Sequence, residues 1–176
     1  MGNRPDGVVQ LVENRNAVRK VFLSRQGDQL RDIHAFHASG HVGQYGNHRF
    51  AGLVDDVADV RIALTRLVSS AGFEVETFES GAAFLQSLDD HEPDCVLLDL
   101  HMPGTNGFDV QRAMEPAHAS VPVIVITGHD GSESRSRALS GGAKGYLCKP
   151  VDGERLLETI DAAITTRWAQ AGWRRP

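Results

Sequence analysis

From Phe50 onward the apolar residues fall into two alternating kinds of run. Residues 50–54, 73–78, 95–98, 121–126 and 144–148 are short and predict strands, each closed by a turn signal or a polar residue. Residues 95–98 and 121–126 are apolar throughout, as in central strands buried on both faces. Residues 73–78 (Phe-Glu-Val-Glu-Thr-Phe) alternate instead, the pattern of an edge strand with one wet face. The stretches between them have helical spacing. Val60, Leu64, Leu67, Val68 and Ala71 form a stripe in a helix over 58–71, which stops at Gly72. Ser80 caps a second helix that turns Phe84, Leu85 and Leu88 inward. A third carries Phe108, Val110, Ala113 and Met114 and is expected to stop at Pro116. A serine-rich fourth, 132–140, ends at Gly141-Gly142. Asp152 caps a fifth, with Leu156, Leu157, Ile160, Ala163 and Ile164 on one face. Five strand–helix units in strict alternation predict a doubly wound α/β fold, a parallel sheet wrapped by helices on both sides.

The first fifty residues carry no such rhythm. Short apolar patches at 8–12 and 18–23 lack length and caps, and Gly27, Gly40, Gly43 and Gly46 scatter through a polar run. Residues 1–49 are therefore expected to be a flexible or weakly helical extension, or a leader whose start is assigned too early. His34, His37, His41 and His48 lie there, but Gly40 and Gly43 would break the helix that a metal site at this spacing needs. Residues 168–176, with Trp168 and Trp173, are expected to form a short tail that either packs back or marks a contact surface.

Charge sharpens the division. Residues 1–50 hold seven Lys/Arg against four Asp/Glu, and residues 51–176 eleven against nineteen. An acidic body disfavours nucleic acid as its partner and suits a cation or a basic partner. No apolar stretch approaches the ~18 residues of a membrane span, and the N-terminus lacks the apolar core of a signal peptide. A cytoplasmic protein with no membrane partner is expected. Cys95 and Cys148 both sit in apolar runs, as buried free thiols do.

The chemistry lies at the ends of the strands. Asp55-Asp56 closes the first, Asp99 the third, Thr127 the fourth and Lys149 the fifth. In a parallel sheet these ends share the carboxyl edge, where ligands collect. Three carboxylates brought together repel one another unless a cation joins them. A hard cation that keeps several waters and takes one or two carboxylates is Mg²⁺. The Lys ammonium and Thr hydroxyl are donors suited to phosphoryl oxygens. These parts suffice for phosphoryl transfer onto a carboxylate, which runs mainly on positioning and charge neutralisation.

Residues 50–167 resemble a two-component response-regulator receiver domain. The resemblance rests on Val54-Asp55-Asp56, on Leu97-Leu98-Asp99-Leu100-His101-Met102-Pro103-Gly104, on Ile126-Thr127-Gly128-His129 and on Leu147-Cys148-Lys149-Pro150. It implies a flavodoxin-like (βα)5 fold with strand order 2-1-3-4-5. It implies Asp99 as phosphoacceptor, and Asp55, Asp56, Asp99 and the backbone carbonyl of His101 as Mg²⁺ ligands. Thr127 matches the switch hydroxyl, Lys149 the phosphate-binding lysine and Tyr146 the switch aromatic, and the Lys149-Pro150 bond is expected to be cis. His101 and His129 flank the approach of a hydrolytic water, so they are candidates for tuning the lifetime of the phosphate. Val57 departs from the pattern, standing where many relatives have a third acid, and Gly52 loosens the first strand.

The resemblance implies a histidine kinase or histidine phosphotransfer protein as phosphodonor. The phosphorylated face, made by the fourth helix, fifth strand and fifth helix, would be read by an unknown target protein. Only about ten residues follow the fifth helix, too few for an output domain, so a stand-alone receiver is expected. It would be a switch and not an enzyme with turnover. The alternative is a pseudo-receiver that binds partners without phosphorylation, against which the intact acid pair, Thr127 and Lys149 argue. A haloacid-dehalogenase-type phosphatase needs a second Asp where His101 stands. A flavodoxin needs a phosphate loop where Asp55-Asp56 stands. A DNA-binding regulator is disfavoured by the missing output domain, although the leader is basic.

Overall fold

The structure, a computed structural model, describes residues 8–14, 17–25, 30–32 and 49–171. The chain divides into two compact units, Met1–Asn47 and His48–Pro176. In the first, β1 (Val8–Asn14), β2 (Ala17–Arg25) and β3 (Leu30–Asp32) form an antiparallel sheet in the order β1-β2-β3. These stretches, expected to be flexible or weakly helical, are therefore extended. The cause is composition: Val8, Val9 and Val12 with Val18, Val21 and Phe22 are β-branched or aromatic, which suits a pleated surface better than a helix. His34, His37, His41, His48 and Trp173 lie outside the described residues.

The second unit alternates strand and helix. Its elements are β4 (Arg49–Val54), α1 (Ala58–Ser70), β5 (Phe73–Phe78), α2 (Gly81–Ser87), β6 (Cys95–Leu98), α3 (Gly107–His118), β7 (Val123–Thr127), α4 (Ser132–Ser140), β8 (Gly145–Cys148) and α5 (Gly153–Gln170). All four strand pairings are parallel, in the order β5-β4-β6-β7-β8. This is the expected 2-1-3-4-5 order, with the alternating strand β5 at the edge.

Period-two alternation divides the core between the faces of the sheet. Val96 and Leu98 of β6, with Val123 and Val125 of β7, meet Phe84, Val110, Met114 and Ala138 from α2, α3 and α4. Cys95, Leu97, Ile124 and Ile126 point the other way, to Leu64 and Val68 of α1 and to Leu156, Ile160 and Ile164 of α5. Complete burial of each such aliphatic side chain stabilises the fold by roughly 1.5–3 kcal/mol relative to exposure. Gly52 leaves room for a ring: a Cβ there would come within 3.3 Å of Phe84.

Two helix ends differ from expectation. α3 runs through Pro116 to His118. Proline removes the bond to the Arg112 carbonyl, but that turn is exposed and close to the helix end, where a carbonyl left without its helical bond is open to solvent. α5 continues through Trp168, which is half-buried against the core of the α1/α5 face. The expected caps are present: Ser80 Oγ accepts from Ala83 N, and Asp152 Oδ1 from Arg155 N. Both cysteines are free, Cys95 buried and Cys148 half-buried.

The connection from β6 to α3 fixes the surroundings of Asp99. Gly107 N donates to the Leu100 carbonyl at 3.1 Å, closing a tight loop, and Asn106 Oδ1 caps α3 by accepting from Phe108 and Asp109. A Cβ on Gly107 would drive into the Asp99 carbonyl and stand 2.8 Å from Leu100 Cα, both backbone atoms. Gly107→Ala is therefore expected to destabilise the domain by about 1–3 kcal/mol, read as a lower urea midpoint. An unchanged midpoint would show that the loop yields without cost.

Candidate functional site

Sheet register brings the strand ends together. Leu98 pairs with Val54 and with Val125, and Thr127 with Cys148. Backbone bonds carry this register past the strands: Asp55 N to Phe78 O at 3.1 Å, Asp99 N to Val54 O at 2.9 Å and Lys149 N to Thr127 O at 2.8 Å. Asp55, Asp99 and Lys149 therefore start side by side on the carboxyl edge. The Lys149-Pro150 peptide is cis, as expected from the resemblance.

Asp55 and Asp99 are nearly closed off from water, at 1% and 5% exposure, and Thr127 is at 0%. Carboxylate oxygens of Asp55, Asp56 and Asp99 lie within 4.8 Å of one another. Asp55 Oδ1 accepts from Val57 N at 2.9 Å and Oδ2 from Lys149 Nζ at 2.6 Å, while Arg61 donates to the Asp55 carbonyl at 2.7 Å. Lys149 Nζ also stands 3.5 Å from Asp99 Oδ1, close enough to pair charges. The geometry is not that of a hydrogen bond, and this buried oxygen has no hydrogen-bond partner. Burial pushes the Asp99 carboxyl above its ordinary range; Lys149 opposes the shift, Asp55 adds to it, and the His101 amide opposes it more weakly.

Two buried carboxylates, Asp55 and Asp99, and a third, Asp56, that reaches solvent stand against one ammonium, and one buried oxygen lacks a hydrogen-bond donor. That donor set fits a hard, oxygen-loving divalent cation. Thr127 Oγ1 accepts from His129 N at 3.2 Å and lies 3.1 Å from His101 Nδ1. Tyr146 is buried on the α2/α3/α4 face and donates its hydroxyl to the His129 carbonyl at 3.1 Å. The structure thus gathers Asp55, Asp56, Asp99 and Lys149 into one cluster, with Thr127, His101, His129 and Tyr146 in a connected chain beside it. Sequence reasoning missed Arg61, which holds the Asp55 backbone from α1. Its only signal was a basic residue just beyond the acid pair.

A five-stranded (βα)5 sheet carrying acids, hydroxyl and lysine on its carboxyl edge defines the class of two-component receivers, and solved structures agree. The response regulator receiver protein from Burkholderia phymatum is 42% identical, with a TM-score of 0.60, over 66% of this chain and 95% of that one. Chemotaxis protein CheY4 of Vibrio cholerae is 26% identical, with a TM-score of 0.62, over 66% and 99%. Residues 52–161 match the response regulator receiver domain, and the chain belongs to that family. The DNA-binding transcriptional regulator NtrC of Klebsiella pneumoniae is 36% identical over 115 residues, 65% of this chain and 24% of NtrC. Nodulation protein W of Bradyrhizobium diazoefficiens is 37% identical over 111 residues, 63% of this chain and 49% of that protein. The chain thus spans between about a quarter and half of the length of these curated relatives.

The raised affinity of Asp99 for its proton sets a pH dependence. The folded state holds that proton more tightly than the unfolded state does. The stabilising contribution is therefore present below the unfolded carboxyl value of ~3.9 and is lost as pH rises through the raised folded value. With divalent cations chelated, Asp99→Asn should melt higher than the wild type at about pH 7, and the gap should close towards about pH 4. A wild type as stable as the variant at neutral pH would contradict the strained carboxylate.

Proposed function

We propose that this domain accepts a phosphoryl group on Asp99 from a phosphohistidine of a histidine kinase or histidine phosphotransfer protein. The observation that carries the reading is the buried Asp99 carboxylate, whose Oδ1 has no hydrogen-bond partner and shares the Lys149 ammonium, 3.5 Å away, with Asp55. An Asp99 oxygen attacks phosphorus. The new O–P bond forms as the P–N bond breaks, and the donor imidazole leaves with the electron pair of that bond. Lys149 Nζ holds a phosphoryl oxygen, exchanging part of its pairing with Asp99 for it. Asp55, Asp56, Asp99 and the His101 carbonyl would hold Mg²⁺, which supplies charge neutralisation at the phosphoryl oxygens.

Thr127 then donates its hydroxyl to the phosphoryl group, and Tyr146 follows through His129, remodelling the α4/β8/α5 face for a target protein. The acceptor carboxylate belongs to the protein itself and is consumed by the reaction, so the domain works as a switch and not as an enzyme. NtrC is named a DNA-binding regulator. The acidic body here suits protein partners instead. Among the described residues no helix is long and apolar enough to cross a membrane.

Incubation with acetyl phosphate and Mg²⁺ should add the mass of one phosphoryl group to the wild type and none to Asp99→Asn. Undiminished labelling of the variant would move the acceptor elsewhere, and an unlabelled wild type would favour a module that works without phosphorylation. Asp56→Ala should weaken Mg²⁺ binding by about tenfold or more, ~1.4 kcal/mol, as measured by calorimetry. A change within about twofold, ~0.4 kcal/mol, would exclude Asp56 as a ligand.

A further inference from the structure

His101 and His129 each stand two residues beyond a group at the centre of the site, Asp99 and Thr127 respectively. They belong to different loops, β6–α3 and β7–α4, yet their ring centroids are 4.7 Å apart with a 49° tilt. The His101 ring reaches further, placing Nδ1 3.1 Å from Thr127 Oγ1.

Thr127 is completely buried, so both the proton and the lone pairs of its hydroxyl need partners inside the protein. One lone pair accepts from His129 N. The proton needs an acceptor, and the other partner of Oγ1 among the described residues is His101 Nδ1. A hydroxyl has one proton to give. The satisfied arrangement therefore has Thr127 donating to Nδ1, with the imidazole proton on Nε2; His101 as a whole is exposed to solvent.

We propose that the His101 side chain is a latch on Thr127: in the resting domain it takes the hydroxyl proton that a phosphoryl oxygen would otherwise receive. The proposal rests on the phosphoacceptor reading above and adds a positioning residue to it. Phosphorylation must break the Thr127–His101 bond, and the released Nδ1 turns to water at little cost because the residue is exposed. The same movement reaches Tyr146. His129 gives its amide to Thr127, its ring to His101 and its carbonyl to the Tyr146 hydroxyl. Release of Thr127 loosens all three together. His101 thus sets the threshold at which the aspartyl phosphate recruits the switch residues.

Two substitutions separate the hydrogen bond from mere bulk. His101→Leu keeps volume and removes the acceptor, whereas His101→Asn keeps a polar acceptor at the δ position. The probe is beryllofluoride with Mg²⁺, its apparent affinity measured calorimetrically at one fixed neutral pH. His101→Leu should bind about fivefold to tenfold more tightly than the wild type, the value of one net hydrogen bond, and His101→Asn should stay within about twofold. Affinities of Leu and Asn variants that move together, or a Leu variant that binds no more tightly than the wild type, would overturn the latch. Failure of the wild type itself to bind would instead overturn the phosphoacceptor reading. The latch then has its own readout without any phosphoryl analogue. Exchange of the His129 amide, which donates to the latched hydroxyl, should quicken about fivefold in His101→Leu and not in His101→Asn. Equal exchange in all three proteins would overturn it.

Discussion

Lys149 Nζ lies 2.6 Å from Asp55 and 3.5 Å from Asp99 in a pocket where those two carboxylates are almost without water. One ammonium cannot neutralise three acids, so the cluster is held short of positive charge by its own scaffold. Isolated carboxylates in such surroundings would protonate or turn outward. Here they stay because their backbones are fixed: Asp99 N is bonded to β4, Asp55 N to the end of β5 and Lys149 N to Thr127 at the end of β7. A cluster fixed in this way is a donor set that fits a hard divalent cation.

The rigidity comes from the two-sided core. β6 and β7 send alternate residues into separate clusters, three helices above and two below. Sliding either strand by one residue would exchange the two sets and turn Asp99 away from Lys149. The scaffold that stabilises the domain is thus the same one that aligns its chemistry. Of the residues read as switch elements, Thr127 and Tyr146 lie in β7 and β8, whereas His101 and His129 lie in the connections that follow β6 and β7. Thr127 ends β7, and His129 follows it in the connection to α4.

Much of this was legible in the sequence because the signals are local. Cys95-Val-Leu-Leu reads as a strand buried on both faces, which it is, and that places Asp99 at the sheet edge. Ser80 and Asp152 cap helices as their side-chain chemistry requires. Pro116 misled because a proline rule that holds in a helix interior relaxes in an exposed last turn. Residues 8–14 and 17–25 misled because their apolar patches are too short to show a period, although their β-branched and aromatic composition favours strands and Asn14 pairs with Ala17 only three positions on. The bond from His101 to Thr127 was out of reach for a different reason: it joins residues 26 positions apart through a ring orientation that no spacing encodes.

The central claim is that the Asp99 carboxylate becomes an acyl phosphate, and trapping that bond tests it most directly. Borohydride reduces an aspartyl phosphate to homoserine at the residue that carried it. The protein should be phosphorylated with acetyl phosphate and Mg²⁺, reduced and digested, and the homoserine located by tandem mass spectrometry. The account predicts homoserine at position 99 and at no other aspartate, Asp55 and Asp56 included. Homoserine at either of those positions, or none anywhere despite incorporated phosphate, would contradict it.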